Sequence, residues 1–144
     1  MTMQRFPDWP RRLHLLVESS KAVTFDWGRY NCGLFVARWI RECTGVDLSA
    51  PYVGKCSDEA SAEALFLNGH QDLGSFAAAI AAANGMPEVA PTLARRGDVV
   101  WVDNLTTYGA LGVVNLDARF AVCMSEQGTK RVHLQRWRRA WRVG

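Results

Sequence analysis

Apolar positions recur every third or fourth residue through the first half of the chain, then alternate through the second half. That change of period predicts helices first and an antiparallel sheet second, an α+β order. Asp8 followed by Trp9 and Pro10 reads as an N-cap with proline at the helix start, and the helix runs to about Ser20 with Leu13, Leu16 and Val17 inward. A second, more apolar helix runs from Cys32 to Thr44, carried by Phe35, Val36, Trp39, Ile40 and Cys43 and stopped by Gly45. Its long apolar face needs cover, which makes it the central helix. Ser57 is the expected cap of a third helix reaching Asn68 and ended by Gly69. A fourth, alanine-rich one starts at Asp72 or Ser75, spans Phe76 to Asn84 and closes at Gly85.

Pro87 and Pro91 mark the change of regime. Strands are expected at Asp98–Val102, Ala110–Asn115, Phe120–Met124, Thr129–Leu134 and Ala140–Val143. The turns between them fall at Asn104–Gly109, Asn115–Ala118 and Glu126–Gly128. No repeat, low-complexity tract or linker divides the sequence. The reading is one domain over residues 1–144, helical from 8 to 85 and sheet from 97 to 143.

Composition narrows the class. With 49% hydrophobic and 22% charged residues, disorder is excluded as the default. Net charge is only +3, but no acidic residue follows Glu126, whereas Lys130, Arg131, Arg136, Arg138, Arg139 and Arg142 crowd the end. Trp137, Arg138, Arg139 and Trp141 therefore stand as a candidate interface, with a nucleic-acid contact as the less favoured use of the same residues. The four cysteines form no C-x-x-C pair and no ligand spacing with His14, His70 or His133. No metal and no cofactor are expected, and reduced thiols are the simpler reading. Met1 to Trp9 lacks an apolar leader and no run reaches spanning length, so synthesis in a cytoplasm with no membrane span is expected.

The chemistry-bearing stretch is Phe25-Asp26-Trp27-Gly28-Arg29-Tyr30-Asn31-Cys32-Gly33. An aromatic-glycine turn delivers a thiol to the first turn of a helix, where unpaired N–H groups and the helix dipole favour thiolate. Cys32 is thus a candidate nucleophile, or else a small apolar plug at the head of the core helix. Asp26 and Asp98 read as turn residues that bond nearby backbone.

Trp27, Gly28, Asn31 and Cys32 resemble the cysteine elbow of the NlpC-type, papain-like cell-wall peptidases, with Asn31 where that family usually has Asp. Arg96-Gly97-Asp98-Val99-Val100-Trp101-Val102 is similar to the family's Gly-Asp strand. Short phage and prophage tail proteins are the branch it resembles most, through the ending Arg139-Ala140-Trp141-Arg142-Val143. The resemblance implies a papain-like single domain, with the cysteine helix packed on an antiparallel sheet. It also implies a histidine directly before Leu111-Gly112-Val113-Val114, where this chain has Ala110.

A cysteine peptidase needs an imidazole to hold the thiolate and protonate the leaving amine. His133, or His70 from its loop, would have to supply it, with Tyr30 and Tyr108 lining the cleft. The leading expectation is a tail-tip protein, hub- or baseplate-associated, with a degenerate peptidase site. It would bind other tail proteins, reside in the virion and not act as an enzyme. An active peptidase cutting peptidoglycan stem peptides during genome delivery is the alternative, and a small nucleic-acid-binding accessory is the third.

Overall fold

The central helix forms where the apolar period is strongest, and the rest of the chain is laid against it. The computed structural model describes residues 3–103 and 106–144. Among these, four helices precede or flank a six-stranded sheet: α1 Trp9–Ser20, α2 Cys32–Thr44, α3 Glu59–Leu67, α4 Leu73–Ala83, then β1 Glu88–Val89, β2 Val99–Val102, β3 Ala110–Val114, β4 Phe120–Ser125, β5 Gly128–His133 and β6 Trp137–Trp141. Every strand pair is antiparallel, in the order β1-β6-β2-β3-β4-β5. The chain is a small single-domain α+β protein.

Helix α2 is fixed at both ends. Asn31 Oδ1 accepts from Leu34 N–H at 2.9 Å, and Gly45, left-handed at φ 82°, donates its N–H to Arg41 O. Glycine tolerates that conformation without steric cost. Between the ends Phe35, Val36, Trp39, Ile40 and Cys43 are buried against Val99, Leu111, Val113, Val122 and Met124, while α1 covers the far side with Leu13, Leu16 and Val17. Each large apolar side chain taken fully out of water contributes about 1.5–3 kcal/mol before entropy is counted.

The opposite face of the sheet is also apolar, built from Val100, Val102, Ala110, Val114, Ala121, Cys123, Val132 and Ala140. Cys32 at the head of α2, Val89, Ala94 and Leu134 pack against this face. Trp137 at the start of β6 donates its indole N–H to Val132 O of β5 at 3.0 Å, although β6 and β5 are not neighbours in the sheet. The β2–β6 register shifts between Trp101 and Val102, a bulge-like irregularity.

Several boundaries differ from expectation for identifiable reasons. Asp8 heads α1 without a side-chain cap bond, because its carboxylate is held by Arg12 at 2.8 Å. Asp58, not Ser57, caps α3, since Ser61 completes a capping box with it. Asp72 caps α4. The two-residue strand β1 has no sequence signal; it exists because β6 offers it Trp141 and Ala140 as partners. The last strand begins at Trp137 rather than Ala140. The Asn115–Ala118 turn is present, with Ala118 at φ 64°. The expected Asn104–Gly109 turn lies partly outside the described residues.

Asp98 is more than a turn residue. It is fully buried and accepts from Arg5 Nη2 at 2.9 Å, Arg95 N–H at 2.8 Å and Val143 N–H at 3.2 Å, with Arg142 Nε 3.7 Å away. Arg5 also reaches Val143 O and Arg96 O, and its guanidinium lies over Trp9. One carboxylate therefore ties the first and last segments of the chain to the turn before β2. Trp39 joins the same turn through Gly97 O at 2.8 Å.

Candidate functional site

The turn before Cys32 is built by close approach. Asp26 Oδ1 accepts the Gly28 N–H at 2.8 Å, and Asn31 Nδ2 donates to Trp27 O at 2.8 Å. The Trp27 carbonyl also accepts from Cys56 Sγ, and Gly28 O accepts from Gly54 N–H. A Cβ at position 28 would run into the Cys56 carbonyl, so this turn requires glycine. Phe25 meets Trp27 edge-on with centroids 4.8 Å apart. The result delivers Cys32 to the head of α2 beneath an aromatic wall.

Cys32 lines a cavity of about 240 Å3 shared by Trp27, Asn31, Tyr108 and Ala110. Its far side is the β4–β5 hairpin, Met124 to Gln127 with Lys130, and its lip is Glu59 and Glu63 of α3. Tyr108 is held in place because its carbonyl accepts from both Leu73 N–H and Trp101 Nε1. Tyr30 belongs to the turn and not the cavity: its ring lies under Arg38 at 4.6 Å, and its backbone bridges Asp26.

None of the three histidines lines this cavity. His133 ends β5 at the opposite end from the hairpin that reaches Cys32; its ring packs edge-on against Phe120 at 5.2 Å and its Nδ1 accepts from Gln135 N–H. His70 lies against Phe76 at 6.2 Å, and His14 is exposed on α1. His133 and His70 are therefore not brought to the thiol as bases. Position 110, where the resemblance implies imidazole, carries a buried methyl on the same cavity as the sulfur.

The electrostatics of the thiol also reverse the expectation from the helix terminus. Although the residue keeps some exposure, burial pushes the Cys32 pKa up, and the opposing pull of the Leu111, Gly33 and Cys32 amides is weaker. Desolvation of the charged form outweighs the helix-end contribution, and the thiol is the resting state. Cys123, fully buried on β4, is pushed up by burial and, secondarily, by proximity to Cys32.

Of the four residues expected to form a C-terminal interface, the two tryptophans are buried while Arg138 is exposed and Arg139 half-buried. Trp137 and Trp141 are 4% and 2% exposed and belong to the two core clusters. Arg139 makes a two-pronged bond to Glu88 at 2.7 and 2.9 Å, Arg138 pairs with Asp103, and Arg142 donates to Leu93 O. The alternation of cations and indoles is that of a strand with buried and solvent-facing sides, its arginines stitched to neighbouring segments. Among the described residues no group of three or more His, Cys, Asp or Glu side chains is placed to hold a metal ion, and no helix is long and apolar enough to cross a membrane.

Fold and cavity together define a small α+β domain with a cysteine-headed helix and no imidazole at the thiol. The chain belongs to a domain family of unknown function, DUF6950, whose family model matches residues 4–143. The match takes in Arg5 and Val143, the two ends gathered by Asp98. No curated protein matches the chain.

Proposed function

We propose that this protein is a phage or prophage tail-tip component, hub- or baseplate-associated, whose papain-like, NlpC-type domain has a degenerate active site and serves in docking. The observation that carries the loss of activity is the pairing of Cys32 with Ala110 on one cavity that no histidine lines. General acid–base help is worth about a hundred- to ten-thousand-fold, and a neutral thiol with a raised pKa has no local means to replace it. The resemblance of the elbow and of the terminal strand supports the tail context, and the order of a cysteine helix followed by an antiparallel sheet supports the papain-like reading. Other tail proteins are the partners on this reading.

One observation favours the peptidase alternative: Cys32 heads α2 and borders an open cavity of about 240 Å3. The deciding experiment incubates the purified protein and its Cys32→Ala variant with intact peptidoglycan, following released muropeptides by mass spectrometry, and in parallel asks whether the protein co-purifies with assembled tails. Tail association with no Cys32-dependent release is the expected result. Release that disappears in Cys32→Ala establishes the peptidase instead. Trp137 and Trp141 are buried and cannot stack on bases, which counts against a nucleic-acid contact through this strand.

A further inference from the structure

Strand β5 ends the sheet order and, among the described residues, pairs with β4 alone. Leu134 N–H donates to Arg119 O at 2.9 Å, which makes those two residues a hydrogen-bonded pair just beyond the ladder. Bonded and non-bonded pairs alternate along antiparallel strands. Counted back along the register, Val132 and Lys130 exchange bonds with Ala121 and Cys123, while Arg131 and Thr129 turn their N–H and C=O away from β4. Side chains occupy carbonyls towards both ends of the strand: Trp137 Nε1 donates to Val132 O, and Ser125 Oγ donates to Gly128 O. Between them, no group among the described residues bonds the outward N–H and C=O of Thr129 and Arg131.

We infer that this edge takes up an extended, acidic segment of a partner protein, which adds to β5 as a further strand through Thr129 and Arg131. Two residues spaced two apart offer two donors and two acceptors in the geometry that an added strand uses. The surroundings set the charge of that strand. Lys130 and Arg131 are exposed on β5 itself, and Arg119 and Arg136 are exposed beside its end. Arg131 pairs with Asp117 at 3.2 Å, whereas Lys130, Arg119 and Arg136 form no ion pair among the described residues. A second copy paired antiparallel over the same residues would set Lys130 opposite Lys130, and like charges directly opposite destabilise a strand pair. The cations that keep identical chains apart at an open edge attract carboxylates to it. The inference stands on this edge alone and needs neither the Cys32 cavity nor a tail context.

The test titrates acetyl-Thr-Val-Glu-Glu-Val-Thr-amide into the 15N-labelled protein and follows chemical shifts and amide hydrogen exchange. In the free chain the Thr129 and Arg131 amides should exchange quickly and those of Lys130 and Val132 slowly. The peptide should give saturable shifts confined to β5 and its neighbours and should slow exchange at Thr129 and Arg131. The same peptide with glutamine for glutamate should bind about tenfold more weakly. The peptide N-methylated at both glutamates keeps its charge but has either edge blocked, and it should not bind. A folded Lys130→Gln/Arg131→Gln variant should reproduce the loss seen with the glutamine peptide. Slow exchange at Thr129 and Arg131 in the free chain, equal binding of the glutamine or N-methylated peptide, or no saturable binding overturns the inference. Shifts of the β5 amides with protein concentration alone would assign the edge to a second copy and overturn it too. The peptide comparisons use the native chain, so they do not depend on the variant folding, and no outcome depends on tail association.

Discussion

Cys32 and Ala110 line one cavity, and the sulfur at the head of the central helix shares it with a methyl and with none of the three histidines. Two features of the thiol follow from this. It has no proton acceptor within its own cavity among the histidines, and burial holds its pKa above the ordinary value of 9.0.

The reactivity of Cys32 should therefore be poor and recoverable. At about pH 7.5 an ordinary thiol is a few per cent thiolate, and Cys32 should be alkylated by iodoacetamide more slowly than a free-thiol standard. Ala110→His places an imidazole on the same cavity, and the labelling rate at Cys32, mapped by mass spectrometry, should rise about tenfold or more. A native rate matching the standard would contradict the buried-thiol account. An unchanged rate in a folded Ala110→His variant would show that position 110 does not reach the sulfur.

The clasp around Asp98 should dominate stability far from the cavity. Asp98→Asn leaves Arg5 and the buried Arg142 Nε without their carboxylate. Removing one partner of a buried ion pair costs about 3–5 kcal/mol. Urea unfolding should show a loss of that order, and a double-mutant cycle with Arg5→Met should give strong coupling. A loss below about 1 kcal/mol would mean the pair behaves like a surface contact.

How much of this was legible in the sequence depends on the range of the interactions. α2 was readable to the residue because its signals are local: a three-four apolar spacing and a glycine stop, to which the structure adds Asn31 as the cap. The shift from Ser57 to Asp58 was not, because Ser61 completes the box from inside the helix. Strand β1 and the role of Asp98 depend on partners more than fifty and ninety positions away, such as Trp141 for Glu88 and Arg5 for Asp98, which no local pattern encodes. Trp137 and Trp141 looked like an interface because arginines flank them; alternate positions on a strand can be core on one side and ion-paired on the other. For the cavity, Cys32, Trp27, Asn31 and Ala110 were all visible, whereas the acidic lip was not. Glu59 and Glu63 read as ordinary helix residues until α3 is seen to border the thiol.

The Trp27–Gly28 turn should be intolerant of a single methyl. In Gly28→Ala the new Cβ overlaps the Cys56 carbonyl, and that carbonyl is backbone and cannot swing away. Overpacking of this kind costs about 1–3 kcal/mol. Thermal denaturation should report the loss, and the indole resonance of Trp27 should shift because its carbonyl is shared by Asn31 and Cys56. Wild-type stability in this variant would show that the turn relaxes freely and does not fix the cavity wall.

Alkaline pH should weaken the fold through its thiols. Burial is the first cause that raises Cys43 from 9.0 to about 11, with the carboxylate of Asp98 adding to it. Cys32, Cys56 and Cys123 shift in the same direction. Above pH 9 the unfolded chain releases the Cys43 proton while the folded chain keeps it. The stabilising contribution is thus complete below that pH and is lost as pH rises through the folded value near 11. Each unit of separation corresponds to about 1.4 kcal/mol, so Cys43 alone should account for roughly 2 kcal/mol of the fall between about pH 8.5 and 10.5. The check is urea unfolding of the native protein and Cys43→Ala at both pH values. Alanine leaves a small void and lowers stability at each pH, so the decisive quantity is the slope with pH and not the offset. A shallower decline in Cys43→Ala is expected, and parallel declines would show that Cys43 ionises in the folded chain as readily as in the unfolded one.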